Sequence, residues 1–529
     1  MELVTSGTHA TPLAPDTTAE STAHGARLRL LHAALWGLAG TTSTVLGALI
    51  GGRSFETHLP GAWFFGMPGG LFGSIGSDSG HSPILGLILV FGGLIILCRV
   101  WWGFLRHLHG QPGFPVKKVI LVVAIWAVPL LLAPPLFSRD VYTYAGQGEM
   151  VSHHIDPYTY GPGVLGSTPF STLPDSVWSN DPSPYGPTFL SIDGLLAEAS
   201  GHKILPDIVL LRLLEVAGLA LIVAATPTLA RSMKRDPAEA VLLGAGSPLA
   251  LLTLIAGAHN DALMLGLLMA GLAVAKRFGT VPGIVLCALA AGVKSPAALG
   301  VIFLGWVWAG HGASTWRRIV HTAGAGLIAL ATMEVVATAS GTGWGWLNSA
   351  TNADKSFTGV TPVSVAARII SVATHVVQVP VSTLQAHTVV SIIGLLCAAG
   401  LGLWLLLRSP DDGMIRCLGL SLLAVALLGP ILWAWYVTWG VMVLATVVAG
   451  RLRRALIVII TFETFVGATS IHGVFAKLFE TFVVSDLVLV AALLAACIVP
   501  LGLVAHPRRH MLSIRSRSAG ISLGLDPTK

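Results

Sequence analysis

Val116–Met150 reads VKKVILVVAIWAVPLLLAPPLFSRDVYTYAGQGEM. Two lysines open the stretch and a long apolar run follows. The chain then turns abruptly to Arg139 and Asp140, with Tyr142 and Tyr144 close behind. The hydrocarbon core of a bilayer takes about 17–25 apolar residues per helix, so 116–137 is predicted to span a membrane. Basic residues before the run mark the cytoplasmic side. The Arg–Asp pair is therefore predicted to stand at the opposite rim.

The rest of the chain repeats that pattern. Of 529 residues, 54% are hydrophobic and 11% charged, against about 25% charged in soluble domains. Apolar runs at 28–50, 84–104, 206–230, 319–340, 385–408, 414–434, 453–472 and 485–505 are also of span length. Shorter ones lie at 238–256, 260–276, 281–294, 296–310 and 435–450. The expected architecture is an all-α polytopic membrane protein of about 12–14 transmembrane helices. The bundle would occupy 28–505, with 1–27 a disordered cytoplasmic tail and 506–529 a basic one. Arg106, Lys117, Arg231, Lys276, Arg317 and Arg453, with neighbouring basic residues, share one end of the predicted spans. Both termini are thus expected on the cytoplasmic side, with long loops at 138–205 and 341–384 outside. All five cysteines sit in apolar runs, which argues against a disulfide framework or thiol chemistry.

Soluble nucleotide signatures are missing: there is neither GxxxxGK[ST] nor HExxH. The cytoplasmic loops are too short for a catalytic domain, and nothing in the composition points to nucleic acid. Chemistry is expected in the outer loops, where turns such as DPYTYGPG and DPSPYGP predict ordered structure. An ionised Asp140 at the rim is suited to accept a proton from an attacking sugar hydroxyl. A phosphate leaving group departs as an anion, so a general acid is dispensable and nearby cations are wanted. Arg139, Lys294, His259 and Arg368 are the candidates. Tyrosines and tryptophans offer faces to sugar rings. Glu149 reads either as a second carboxylate or as a solvated residue. In AGAHNDALMLGL, His259, Asn260 and Asp261 interrupt an apolar hairpin; His259 is expected to face the site, and Asn260 or Asp261 to cap the next helix. Lys294 either binds phosphate or snorkels. Trp346 and Asn348 of GWGWLN suit sugar or lipid contacts, as Trp435 and Tyr436 of WAWYVTWG suit either a site or a membrane belt.

PPLFSRDVYTYAGQGEMV, DPYTYGP, DPSPYGPTFL, AGAHNDALMLGL, GVKSPAAL, GWGWLN and WAWYVTWG occur in this order. Together they resemble the actinobacterial polyprenol-phosphomannose-dependent α-1,6-mannosyltransferases of lipomannan synthesis, over about 28–505. The resemblance implies the multi-helix glycosyltransferase-C fold with a large first outer catalytic loop. It also implies inverting transfer of mannose from polyprenyl-phosphate-mannose to a mannan on a phosphatidylinositol-mannoside anchor, in the plasma membrane. Asp140 would be the base. Arg139, Tyr142, Tyr144, Glu149, Asp156, Tyr158, Tyr185, His259, Asn260, Asp261, Lys294, Trp346 and Asn348 would bind substrate. No cofactor is implied, and divalent-cation need stays open. The competing readings are a transporter or flippase, for which internal repeats are wanting, a related lipid-phosphosugar transferase for another sugar such as arabinose or glucose, and a noncatalytic scaffold.

Overall fold

The computed structural model describes residues 17–51, 83–349, 362–376, 378–379, 381–409 and 413–468. The expected span at 485–505, most of both tails and part of the 341–384 loop lie outside these residues. Among the described residues the fold is entirely helical, with no strand. The other apolar runs predicted as spans or shorter membrane segments are helical over most of their described residues, as apolar sequence without backbone partners in lipid must be.

Five helices are long and apolar enough to cross a bilayer: Leu28–Gly51, Ile84–His109, Ile204–Ser232, Thr315–Ser340 and Thr383–Leu407. The pair Pro237–Leu243 and Pro248–Ala256, bent by 48°, makes a sixth if it is one span. The described residues therefore give fewer full crossings than the 12–14 expected, because several apolar runs end early. The 116–137 run becomes a helix over Val116–Leu132, after which Pro134 and Pro135 prevent continuation. The 414–434 run stops as a helix at Leu428, before Gly429 and Pro430.

Loop 138–205 is ordered, as the proline-tyrosine turns predicted. Helix Asp140–Ser152 packs along Pro187–Ala199. Between them Asp156 closes the first turn: its carboxylate accepts from the Tyr158 N–H at 2.9 Å and the Thr159 hydroxyl at 2.6 Å. Asp156 thus forms the turn, and it does not line the cavity that holds Asp140.

Candidate active site

Two chain breaks meet to make the site. After Leu132 the backbone leaves the helix, and the Leu136 N–H donates to the Ala256 carbonyl at 2.9 Å. Residues Leu251–Ala256 form a π-helix, the widened geometry often found at functional positions. Buried Arg212 holds both ends. Its guanidinium donates to the carbonyls of Ala133, Leu130 and Ile255, the last two at 2.6 and 3.3 Å. Those carbonyls end helical segments and would otherwise lack donors. Phe137 (φ 65°) and Ala258 (φ 52°) then take left-handed conformations, which cost non-glycine residues about 1–2 kcal/mol each. One precedes Asp140 by three residues and the other directly precedes His259.

Asp140 starts its helix with its N–H bonded to the Ser138 hydroxyl at 3.1 Å. Its carboxylate, 20% exposed, lies 3.7 Å from Nε2 of the buried His259. That gap exceeds a hydrogen bond. The His259 Nδ1–H donates to the Thr253 carbonyl at 2.7 Å, so a neutral imidazole presents a lone pair at Nε2. Burial pushes the His259 pKa down, against the pull of Asp140 and Asp261, which favours that neutral form. Two acceptors thus lie side by side, and each can take a hydrogen from a hydroxyl group placed next to it. Burial likewise raises the Asp140 pKa, while His259 and Lys294 draw it down.

Asp140 shares a cavity of about 190 Å³ with Thr143, Gln147, Tyr185, Lys294, Trp433, Tyr436 and Trp439, among others. Lys294 ends the helix Thr280–Val293 and reaches Asp261 at 2.9 Å. Its ammonium sits 4.7 Å from the Tyr436 ring centroid, 5.7 Å from Trp439 and 5.8 Å from Tyr185, a cation–π cage. Asp261 is fully buried and also accepts from the Trp439 indole. The imidazole of His259 stacks on Trp435 at 3.7 Å, and Trp433 stacks on Trp435 at 4.9 Å. Tyr185 arrives because Gly186 touches the backbone of Gly292; a Cβ on Gly186 would lie 2.4 Å from the Gly292 oxygen. Gly186→Ala is therefore expected to part the tyrosine turn from the Lys294 helix end. It should lower the unfolding temperature of the purified protein by the equivalent of about 1–3 kcal/mol, with a weaker apparent affinity for sugar donor.

Several expectations change. Asp140 stands eight residues beyond the helix end at Leu132, not directly at it. Neither Asn260 nor Asp261 caps through its side chain. Asp261 pairs with Lys294, and the cap comes from Glu215 on the neighbouring helix, which accepts from the Leu263 N–H at 3.1 Å. Asn260 is fully buried, and both atoms of its amide lack hydrogen-bond partners among the described residues. Glu149 lies nine residues along its helix from Asp140, about 13 Å. There it contacts His202 at 3.0 Å and His153 at 3.6 Å, a separate cluster and not a second carboxylate of the pocket. Tyr142 is fully buried beneath the site, and Arg139 is half-buried at the helix cap; neither lines the cavity. Tyr144 backs the cavity wall, edge-on to Tyr185 at 5.3 Å. Tyr158 packs against Gly345, while Trp346 stacks near Trp344 at 6.5 Å; Tyr158, Trp346 and the exposed Asn348 do not line the cavity. Trp433 and Trp439, whose indoles line the pocket, sit in a motif that belt logic explains equally well, and Arg212 and Glu215 look like span residues. A charge inside an apolar run was the available signal for those two.

Acid–base groups beside stacked indoles, set at one end of an all-helical membrane bundle, suit glycosyl transfer. The relatives establish that class: the chain is a polytopic membrane glycosyltransferase. A family model described as the N-terminal domain of alpha-(1->6)-mannopyranosyltransferase matches residues 34–310, and one described as the MptB C-terminal domain matches 361–500. Alpha-(1->6)-mannopyranosyltransferase A of Mycobacterium tuberculosis is 32% identical over 401 residues, covering 73% of this chain and 76% of that protein. A probable alpha-(1->6)-mannopyranosyltransferase of Mycolicibacterium smegmatis is 30% identical over 462 residues, covering 79% of each. Alpha-(1->6)-mannopyranosyltransferase A of Corynebacterium glutamicum is 28% identical over 354 residues, covering 61% of this chain and 71% of that protein. The chain belongs to the alpha-(1->6)-mannopyranosyltransferase family. No solved structure matches it. The transporter and scaffold readings find no support in these matches.

Proposed function

We propose that the chain moves mannose from polyprenyl-phosphate-mannose to a mannan acceptor on a phosphatidylinositol-mannoside anchor. The new linkage is α-1,6, formed with inversion at the outer face of the plasma membrane during lipomannan-type synthesis. The observation that carries the chemistry is the shared gap between the Asp140 carboxylate and His259 Nε2, 3.7 Å apart, in one cavity with Lys294. The acceptor hydroxyl sits beside this pair and donates its one hydrogen to Asp140, and Nε2 of His259 is left to accept from a neighbouring sugar hydroxyl. Its oxygen attacks the anomeric carbon as the C–O bond to phosphate breaks, and its proton passes to Asp140. Polyprenyl phosphate leaves as an anion beside the Lys294 ammonium, and the rings of Trp433 and Tyr436 line the path of the sugar.

The orientation draws support from the basic end of the bundle. His109 lies 3.2 Å from Glu239, which also pairs with Arg453, and the Gly113 N–H donates to Asp236. The loops richest in lysine and arginine thus meet at the end of the Val116–Leu132 helix opposite Asp140, and both termini are assigned with them to the cytoplasm.

Purified protein in nanodiscs, given polyprenyl-phosphate-mannose and a synthetic di-mannoside, is expected to yield an α-1,6-linked tri-mannoside. GDP-mannose should give none. Direct transfer from GDP-mannose would overturn the lipid-donor assignment. The same assay reads the base. Asp140 must be ionised to accept the proton, and burial raises its pKa, so turnover should fall as pH drops through a value above the ordinary carboxylate range. A rate flat down to about pH 4 would exclude a buried carboxylate base.

A further inference from the structure

The helices Thr17–Gly51 and Pro83–His109 run antiparallel and are zipped together over only part of their length. Gly40 faces Gly93 and Gly47 faces Gly86; a Cβ on Gly93 would come within 2.5 Å of the Gly40 oxygen. Small residues allow this close packing in membranes. Toward the basic end the pair opens into a cleft of about 480 Å³. Arg29, His32 and Trp36 line it from one helix, and Arg99, Arg106 and His107 from the other. Among the described residues no carboxylate lines the cleft, and none of the three arginines forms an ion pair.

Arg99 makes this arrangement costly without a ligand. It lies within the span Ile84–His109, seven residues before Arg106 at the rim, about 10 Å along the helix axis, with its side chain exposed on the cleft. A charge at that depth needs a partner. The guanidinium fork pairs best with the oxygens of a carboxylate or phosphate. Below the arginines the cleft wall is aliphatic and aromatic, the surface that acyl chains cover.

We propose that this cleft binds the phosphate of an anionic membrane phospholipid, with its acyl chains along the wall between the two helices. Arg29 and Arg106 meet the headgroup at the rim, and Arg99 takes a phosphate oxygen from below. An aqueous ion would have no use for the apolar wall, so a lipid is the fitting occupant. The site is separate from Asp140, since the Val116–Leu132 helix of 17 residues, about 25 Å long, lies between the two levels.

The test uses full-length protein in nanodiscs of phosphatidylcholine alone or with about 20% phosphatidylglycerol, read by thermal unfolding and by native mass spectrometry of retained lipid. Phosphatidylglycerol should raise the unfolding temperature and one molecule should stay bound per chain. Arg99→Gln should weaken that retention by about tenfold or more. Arg29→Gln combined with Arg106→Gln, both at exposed positions, supplies the same reading should Arg99→Gln not fold. Arg231→Gln, an exposed arginine elsewhere at the basic end, should leave it unchanged. Undiminished retention in the cleft variants overturns the site. Equal loss in Arg231→Gln reduces it to general surface charge, and an equal stabilisation by inorganic phosphate in phosphatidylcholine discs overturns the lipid as occupant.

Discussion

Asp140→Asn is expected to leave a folded, membrane-inserted protein that no longer transfers mannose, with turnover reduced about 10²–10⁴-fold. Asparagine keeps the shape of the side chain, and the helix start survives because Ser138 bonds the backbone N–H and not the carboxylate. What disappears is the group proposed to take the proton. His259 is poorly placed to replace it: its imidazole is fixed by the Thr253 carbonyl and by the face of Trp435, and burial disfavours its protonated form. The donor should still bind, so the apparent affinity for polyprenyl-phosphate-mannose should change little while turnover collapses. Turnover near that of the unaltered protein would remove Asp140 from the reaction.

Lys294→Met is expected to fail twice, and the two failures can be separated. Asp261 has no exposed surface, and Lys294 is its only ion-pair partner among the described residues. Taking away one member of a buried pair costs about 3–5 kcal/mol, which should show as a large fall in unfolding temperature. Loss of the ammonium should also remove transfer by withdrawing charge from the departing phosphate. The double variant Lys294→Met with Asp261→Asn leaves neither member of this pair charged, and the asparagine oxygen can still accept from Trp439. Stability should return in large part while transfer stays absent. Recovery of both would show that Lys294 serves the fold alone.

The helical runs were legible because lipid leaves an apolar chain few alternatives. Their ends were less so. Pro134 was visible beside the 116–137 run, but hydropathy alone carried the reading on to Phe137. Asp140, His259 and Lys294 were legible as polar breaks in apolar sequence, and they do converge. Asp261 was expected to cap or bind and is held instead by a lysine 33 positions away, a contact that no local pattern contains. Tyr158, Trp346 and Asn348 look like Tyr185 and Trp439 by composition. Only packing shows that Gly345 draws the first group onto a turn outside the cavity, whereas Gly186 draws Tyr185 into it.

Arg212 has a consequence for descent. By grasping carbonyls from two separate stretches of chain, one guanidinium works as a register pin. Surface loops on either side can lengthen or shorten across generations without displacing the reaction centre, whereas a residue inserted between 130 and 133 would pull the pin and disconnect the carboxylate from the imidazole. A homologue without this arginine should therefore carry a compensating donor on an adjoining helix, or have surrendered catalysis.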